Sequence, residues 1–162
     1  MKHLIIVFFI FCSACAGAQS LPNFNLIKLE NPSDYKTAEP FVLQTATYLL
    51  SVPYMKDNKD RLGALQFMRK WMNGTTDYSF AFGESERKMF SDNYDIFGIY
   101  MAALAKYTLE NKDIAKDVKV AKLNAMKTML NYCENKDNNI RMSKQLKKLS
   151  EAKAKGQLEQ LL

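Results

Sequence analysis

The 162-residue chain is 48% hydrophobic and 25% charged, and its 23 Lys and Arg against 17 Asp and Glu give a formal net charge of +6. Those proportions exclude a collagen-like, low-complexity or disordered protein. The length predicts one domain, large enough to bury a core without a metal or disulfide staple.

The N-terminus has the layout of an export signal: Lys2 as a positive start, the apolar run Leu4 to Phe11, then small residues from Ser13 to Ala18. This order predicts a secretory signal peptide over residues 1–18, cut after Ala18, and a periplasmic or secreted mature protein. A membrane anchor needs ~20 apolar residues, and this run is less than half of that. Lipidation at Cys15 is a second exported outcome, against which stands Cys12 at the position where a Leu-like residue is expected. Cleavage removes His3, Cys12 and Cys15, leaving Cys133 as the one thiol and no imidazole.

Residues 19–36 carry two prolines and no sustained period, which predicts an extended N-terminal arm ahead of a helical domain over 37–162. Phe41, Thr45, Tyr48, Leu49 and Val52 recur at spacings of three and four, so a helix is expected from about Thr37, with Pro40 in its first turn and Pro53 ending it. Asn58 is placed to cap a second helix running to Asn73. Its apolar face is read as Leu62, Leu65, Phe67, Met68, Trp71 and Met72, with Gly74 as the left-handed residue after its end. The short turn between the two predicts an antiparallel pair.

Tyr78, Phe80 and Phe82 then alternate with small residues, the period of an extended segment and not of a helix. With no partner strand in the chain, the segment is expected to lie as an aromatic strap over the helices. Ser85 is a candidate cap for the next helix. Phe90, Tyr94, Phe97, Met101 and Leu104, with Ile96, Ile99, Ala103 and Tyr107 beside them, predict an element apolar on most of its circumference and therefore central, which Ser91-Asp92-Asn93 can split in two. Gly98 and Ala102 would admit a close neighbour. Ile114, Val118, Ala121, Ala125, Met129 and Tyr132 form the stripe of another helix, and Met142, Leu146 and Leu149 that of a last one from about Arg141 to Lys155, broken at Gly156. The fold class expected is all-α, a single domain of five or six helices packed as antiparallel hairpins.

The chemistry is sparse. Without histidine, the Ser-His-Asp and Cys-His arrangements cannot be built, and zinc has neither histidine nor a cysteine pair to bind. Asn135-x-Asp137-x-Asn139 opens like a calcium loop but has Ile140 where Gly is needed and Leu146 where Glu is needed, so it reads as a turn. Asn73-Gly74-Thr75 has the form of a glycosylation sequon. No cofactor or metal is expected. Cys133, beside a core stripe, reads as a buried thiol.

Carboxylates remain as candidates: Glu84 and Glu86 at one helix start, Asp92 and Asp95 at the next, and Asp113 and Asp117 beyond. Paired carboxylates serve glycoside hydrolysis, and they also cap helices. The residues singled out for ligand or partner contact are Trp71, Tyr78, Phe80 and Phe82, as an aromatic platform for a sugar or peptide. From Lys112 onward there are twelve Lys and Arg against six Asp and Glu, a basic end suited to an anionic membrane surface or polymer. Nucleic acid is disfavoured by export, and no transmembrane segment is expected in the mature chain. The stretch Tyr48 to Phe80 resembles a group of small exported bacterial proteins of unknown function, a likeness that implies no activity. The function expected is that of a non-enzymatic envelope protein binding a protein or a polymer. The alternatives are a carboxylate-dependent hydrolase of cell-wall glycan and attachment to a membrane surface through basic C-terminal helices.

Overall fold

The computed structural model describes residues 21–90 and 93–162, and of Ser85 and Ala115 the backbone alone. The segment expected to be a signal peptide, with His3, Cys12 and Cys15, and the candidate Asp92 lie outside the described residues. Seven α-helices and four single 3-10 turns occur among the described residues, with no strand: α1 (Pro32–Thr37), α2 (Glu39–Ser51), α3 (Lys59–Gly74), α4 (Glu84–Met89), α5 (Tyr94–Glu110), α6 (Val118–Glu134) and α7 (Lys144–Ala154). The all-α expectation holds; the short α4 ahead of α5 is the sixth helix foreseen, and the six-residue α1 at the end of the expected arm is the one beyond it.

The centre is α5. It packs against α2, α3 and α6, and every residue from Gly98 to Ala105 is buried. Gly98 lets this happen: a Cβ there would stand 2.7 Å from a Leu65 methyl of α3. The close neighbour is thus a side chain rather than a backbone. Asn93 caps the helix, its side chain accepting from the Ile96 amide at 3.2 Å, so the apolar run splits before Tyr94, which is 81% exposed.

Several inward faces differ from their sequence periods. On α2 the buried side is Val42, Thr45, Ala46 and Leu49, and Phe41 turns outward. Leu62 is exposed on α3 while Arg61 is buried, with Nη1 donating to the Leu49 carbonyl at 3.4 Å and the guanidinium 5.4 Å from the Tyr54 ring centroid. The amphipathic stem and planar head of arginine allow this where lysine would not fit. Ile114 and Val118 are exposed, not core, because Asp117 caps α6 by accepting from the Lys119 and Val120 amides and so starts the helix only at Val118. Met142 lies ahead of α7, which starts at Lys144 under a Ser143 cap and buries Leu146, Leu149 and Ala152.

The arm is not simply extended. Pro32 occupies a first helical position, and the Asp34 carboxylate accepts from the Asn31 and Glu30 amides at 2.9 and 3.1 Å, which together start α1. Those amide bonds hold the Asp34 carboxyl below its usual range. Phe24 stacks on Phe67 with centroids 4.8 Å apart, fixing the arm to α3.

Gly74 is the last residue of α3 and not a left-handed cap, since Thr75 follows with extended backbone. Its lack of a side chain serves packing instead: a Cβ would stand 2.2 Å from the Tyr35 hydroxyl. Gly74→Ala is therefore expected to destabilise the fold by about 1–3 kcal/mol through overpacking, measured as a lower urea midpoint. An unchanged midpoint would show that the Tyr35 ring yields freely. Gly156 is the left-handed residue at φ +68°. There the Gln157 amide bonds to the Ala152 carbonyl at 2.8 Å and the Gly156 amide to the Lys153 carbonyl at 3.1 Å, closing α7 in a Schellman motif.

Candidate functional site

Residues 75–83 join α3 to α4 without helix or strand. Tyr78, Phe80 and Phe82 are each half-buried, with alternate side chains turned to the core as the two-residue period requires. Tyr78 and Phe80 rest on Trp71, at centroid distances of 5.8 and 5.6 Å. Phe82 goes elsewhere, meeting Phe97 edge-on at 4.9 Å and Tyr100 at 6.1 Å. Of the four aromatic candidates, Trp71 is wholly buried, with its indole N–H donating to the Tyr35 carbonyl at 2.8 Å. Trp71 thus supports Tyr78 and Phe80 from behind and touches no solvent-borne molecule.

Two clusters of ionisable side chains hold this segment. Near its start, Glu39 of α2 accepts from the Tyr78 hydroxyl at 3.0 Å and from Lys112 Nζ at 2.5 Å. Burial, then the Glu39 carboxylate, raises the Tyr78 pKa, while the hydrogen bond to Glu39 raises that of Lys112. Near its end, Glu86 of α4 is 3% exposed. Its carboxylate accepts from the Gly83 amide at 2.6 Å, the Tyr100 hydroxyl at 3.0 Å and Lys122 Nζ at 2.7 Å. Burial, then the Glu86 charge, pushes the Tyr100 phenol far above its ordinary value. A buried carboxylate is tolerable only with such a full set of donors.

Between the clusters lies a cleft of about 300 Å³. Tyr78 and Phe80 line it together with Leu104 and Thr108 of α5 and Ala121 of α6. Lys112, Lys116 and Lys122 line it together with Asp77 and Asp113. Thr108 is 4% exposed.

The candidate carboxylates are not gathered into one place. Glu84 pairs with Lys88 in solvent at 2.8 Å, Glu86 is locked as above, and Asp95 accepts from the Tyr54 hydroxyl at 2.6 Å. Burial, then that bond, pushes the Tyr54 pKa up to about 12. Asp117 serves as a helix cap. Among the described residues no group of three or more His, Cys, Asp or Glu could hold a metal ion.

Cys133 is buried at 2% exposure, with Sγ 3.6 Å from the Met129 sulfur, and burial pushes its thiol up to about 12. It is expected to resist a thiol reagent at pH 8 in the folded protein and to react once urea unfolds the chain. Rapid labelling of the native protein would contradict this environment.

Glu39, Lys112, Lys122 and Thr108 carried no functional signal in the sequence. Lys112 and Lys122 stand among many surface lysines, and their partners lie 73 and 36 residues away. No protein-family model, curated protein or solved structure matches the chain. No helix among the described residues is long and apolar enough to cross a membrane.

Proposed function

We propose that the chain is an exported, non-enzymatic binding protein of the bacterial envelope, in which residues 75–83 act as an aromatic strap walling the ligand cleft. The observation that carries this reading is the cleft itself: two aromatic rings packed on Trp71 share its lining with Thr108 of α5, Lys122 of α6 and the charged side chains Lys112, Asp113 and Lys116 between those helices. Concave sites with apolar walls and a few convergent polar groups are where ligands bind.

Glu84, Glu86 and Asp95 are each engaged separately, and the carboxylates that share the cleft are Asp77 and Asp113. The test is capture of envelope components from the host by the exported protein and by its Phe80→Ala and Thr108→Val variants. A component retained by the parent and lost by both variants supports the cleft. Retention by all three counts against it. Anionic vesicles that bind parent and variants alike would favour the exposed lysines of α7, such as Lys144, Lys147 and Lys148, as a membrane-facing surface.

A further inference from the structure

We infer that the outer face of α7 docks on an anionic lipid bilayer, independently of the cleft. Lys144, Lys147, Lys148 and Lys155 are exposed on this helix and at its C-terminal end. Their spacings of three, four and seven place them on one side of it, around Glu151. The other side buries Leu146, Leu149 and Ala152, where the helix packs on α6 and on the C-terminal turn Leu158–Leu161. Among the described residues none of these four ammonium groups enters an ion pair, whereas Lys153, off this face, pairs with Glu134 at 2.5 Å.

Helix stability does not account for the arrangement. Each of the other six α-helices carries a carboxylate at its cap or in its first turn, where the positive end of the helix dipole favours one. In α7 the cap is Ser143, Lys144 stands in the first turn and Lys147 directly after it. Lys144 and Lys148 add a like-charge pair one turn apart, which is repulsive. A negative surface outside the chain relieves both penalties.

The chemistry of the face fits a diffuse partner. Lysine is a hydrated point charge without the planar fork by which arginine grips one carboxylate or phosphate. No aromatic or large apolar side chain stands among these lysines to anchor a protein partner. Separate cations on the convex side of a helix match the spread charge of a bilayer surface, where each contributes about fivefold in affinity. No helix among the described residues is long and apolar enough to cross a membrane, so this attachment is peripheral.

The test is co-sedimentation of the exported protein with vesicles of equimolar phosphatidylglycerol and phosphatidylcholine, and with phosphatidylcholine alone. Binding to the anionic vesicles only is expected, with loss in about 1 M salt, where the screening length falls to about 3 Å. Lys147→Glu reverses one charge and should weaken binding about 25-fold, while Glu151→Gln should tighten it about fivefold. Lys147→Glu should also melt at or above the parent's temperature, because it puts a carboxylate near the helix start. Phe80→Ala should leave vesicle binding unchanged, and Lys70→Glu on α3, an equal change in net charge, should alter it little.

Absence of binding to the anionic vesicles overturns the inference. So does a loss with Lys70→Glu equal to that with Lys147→Glu, which would reduce the effect to net charge, or a loss with Phe80→Ala, which would move the contact to the cleft. Capture by soluble dextran sulfate without capture by vesicles would put an anionic polymer in place of the bilayer and overturns it as well.

Discussion

Glu86→Ala is expected to lower the unfolding free energy by about 3–5 kcal/mol, the usual cost of stripping one partner from a buried ion pair. At this chain length that corresponds to a fall in melting temperature of roughly 10–15 °C. Three donors lose their acceptor together: the Gly83 amide, the Tyr100 hydroxyl and the Lys122 ammonium, whose side chain is only 19% exposed. The ammonium accounts for most of the penalty, because a charge left in a poorly solvated site is far costlier than an unmet amide. Glu86→Gln, which keeps an acceptor oxygen but no charge, should fall between parent and alanine variant. Pairing Glu86→Ala with Lys122→Met should recover part of the loss by removing the stranded charge. Additive losses in the double variant would show that the two side chains are not energetically coupled.

Trp71→Ala should cost a similar amount, about 3–5 kcal/mol, by emptying the largest fully buried side chain in the molecule. The Tyr35 carbonyl loses its indole donor, and Tyr78 and Phe80 lose the surface beneath them. Trp71→Phe keeps a ring but not the N–H and should cost about 1–3 kcal/mol. Urea unfolding followed by far-ultraviolet dichroism measures both. Because Trp71 is the only tryptophan, its emission in the parent reports directly on this packing and should shift to the red in the same transition. A Trp71→Ala midpoint close to the parent's would mean that the neighbouring rings collapse into the space.

The helices could be read from periodicity and caps, and the accuracy followed the locality of the signal. Asn58 caps α3 through the Arg61 amide at 2.9 Å, Asn93 splits the apolar run before α5, and Gly156 ends α7, all within one turn of sequence. Faces were read less well wherever a long amphipathic side chain or a shifted helix start intervened. Arg61 takes a core position beside exposed Leu62, and the Asp117 cap leaves Ile114 and Val118 outside the stripe they continue. Gly74 was misassigned because its constraint comes from Tyr35, on another helix, and not from its own backbone. The cleft was half legible. Tyr78 and Phe80 stood out by alternation, but the lysines and the threonine that share the lining are ordinary residues at ordinary positions, and tertiary contact alone gives them significance.

The two glutamate clusters also tether the aromatic segment at its ends. Between Tyr78 and Phe82 no backbone amide donates a hydrogen bond among the described residues, so that wall is held by side chains and by the bonds at its two ends. It belongs to the low-stability end of the molecule, able to swing away while the α2–α5–α6 core stays intact. Amide hydrogen exchange should accordingly be fast from Ser79 to Phe82 and slow in α5. Loosening of this short stretch would widen the cleft without any helix having to move.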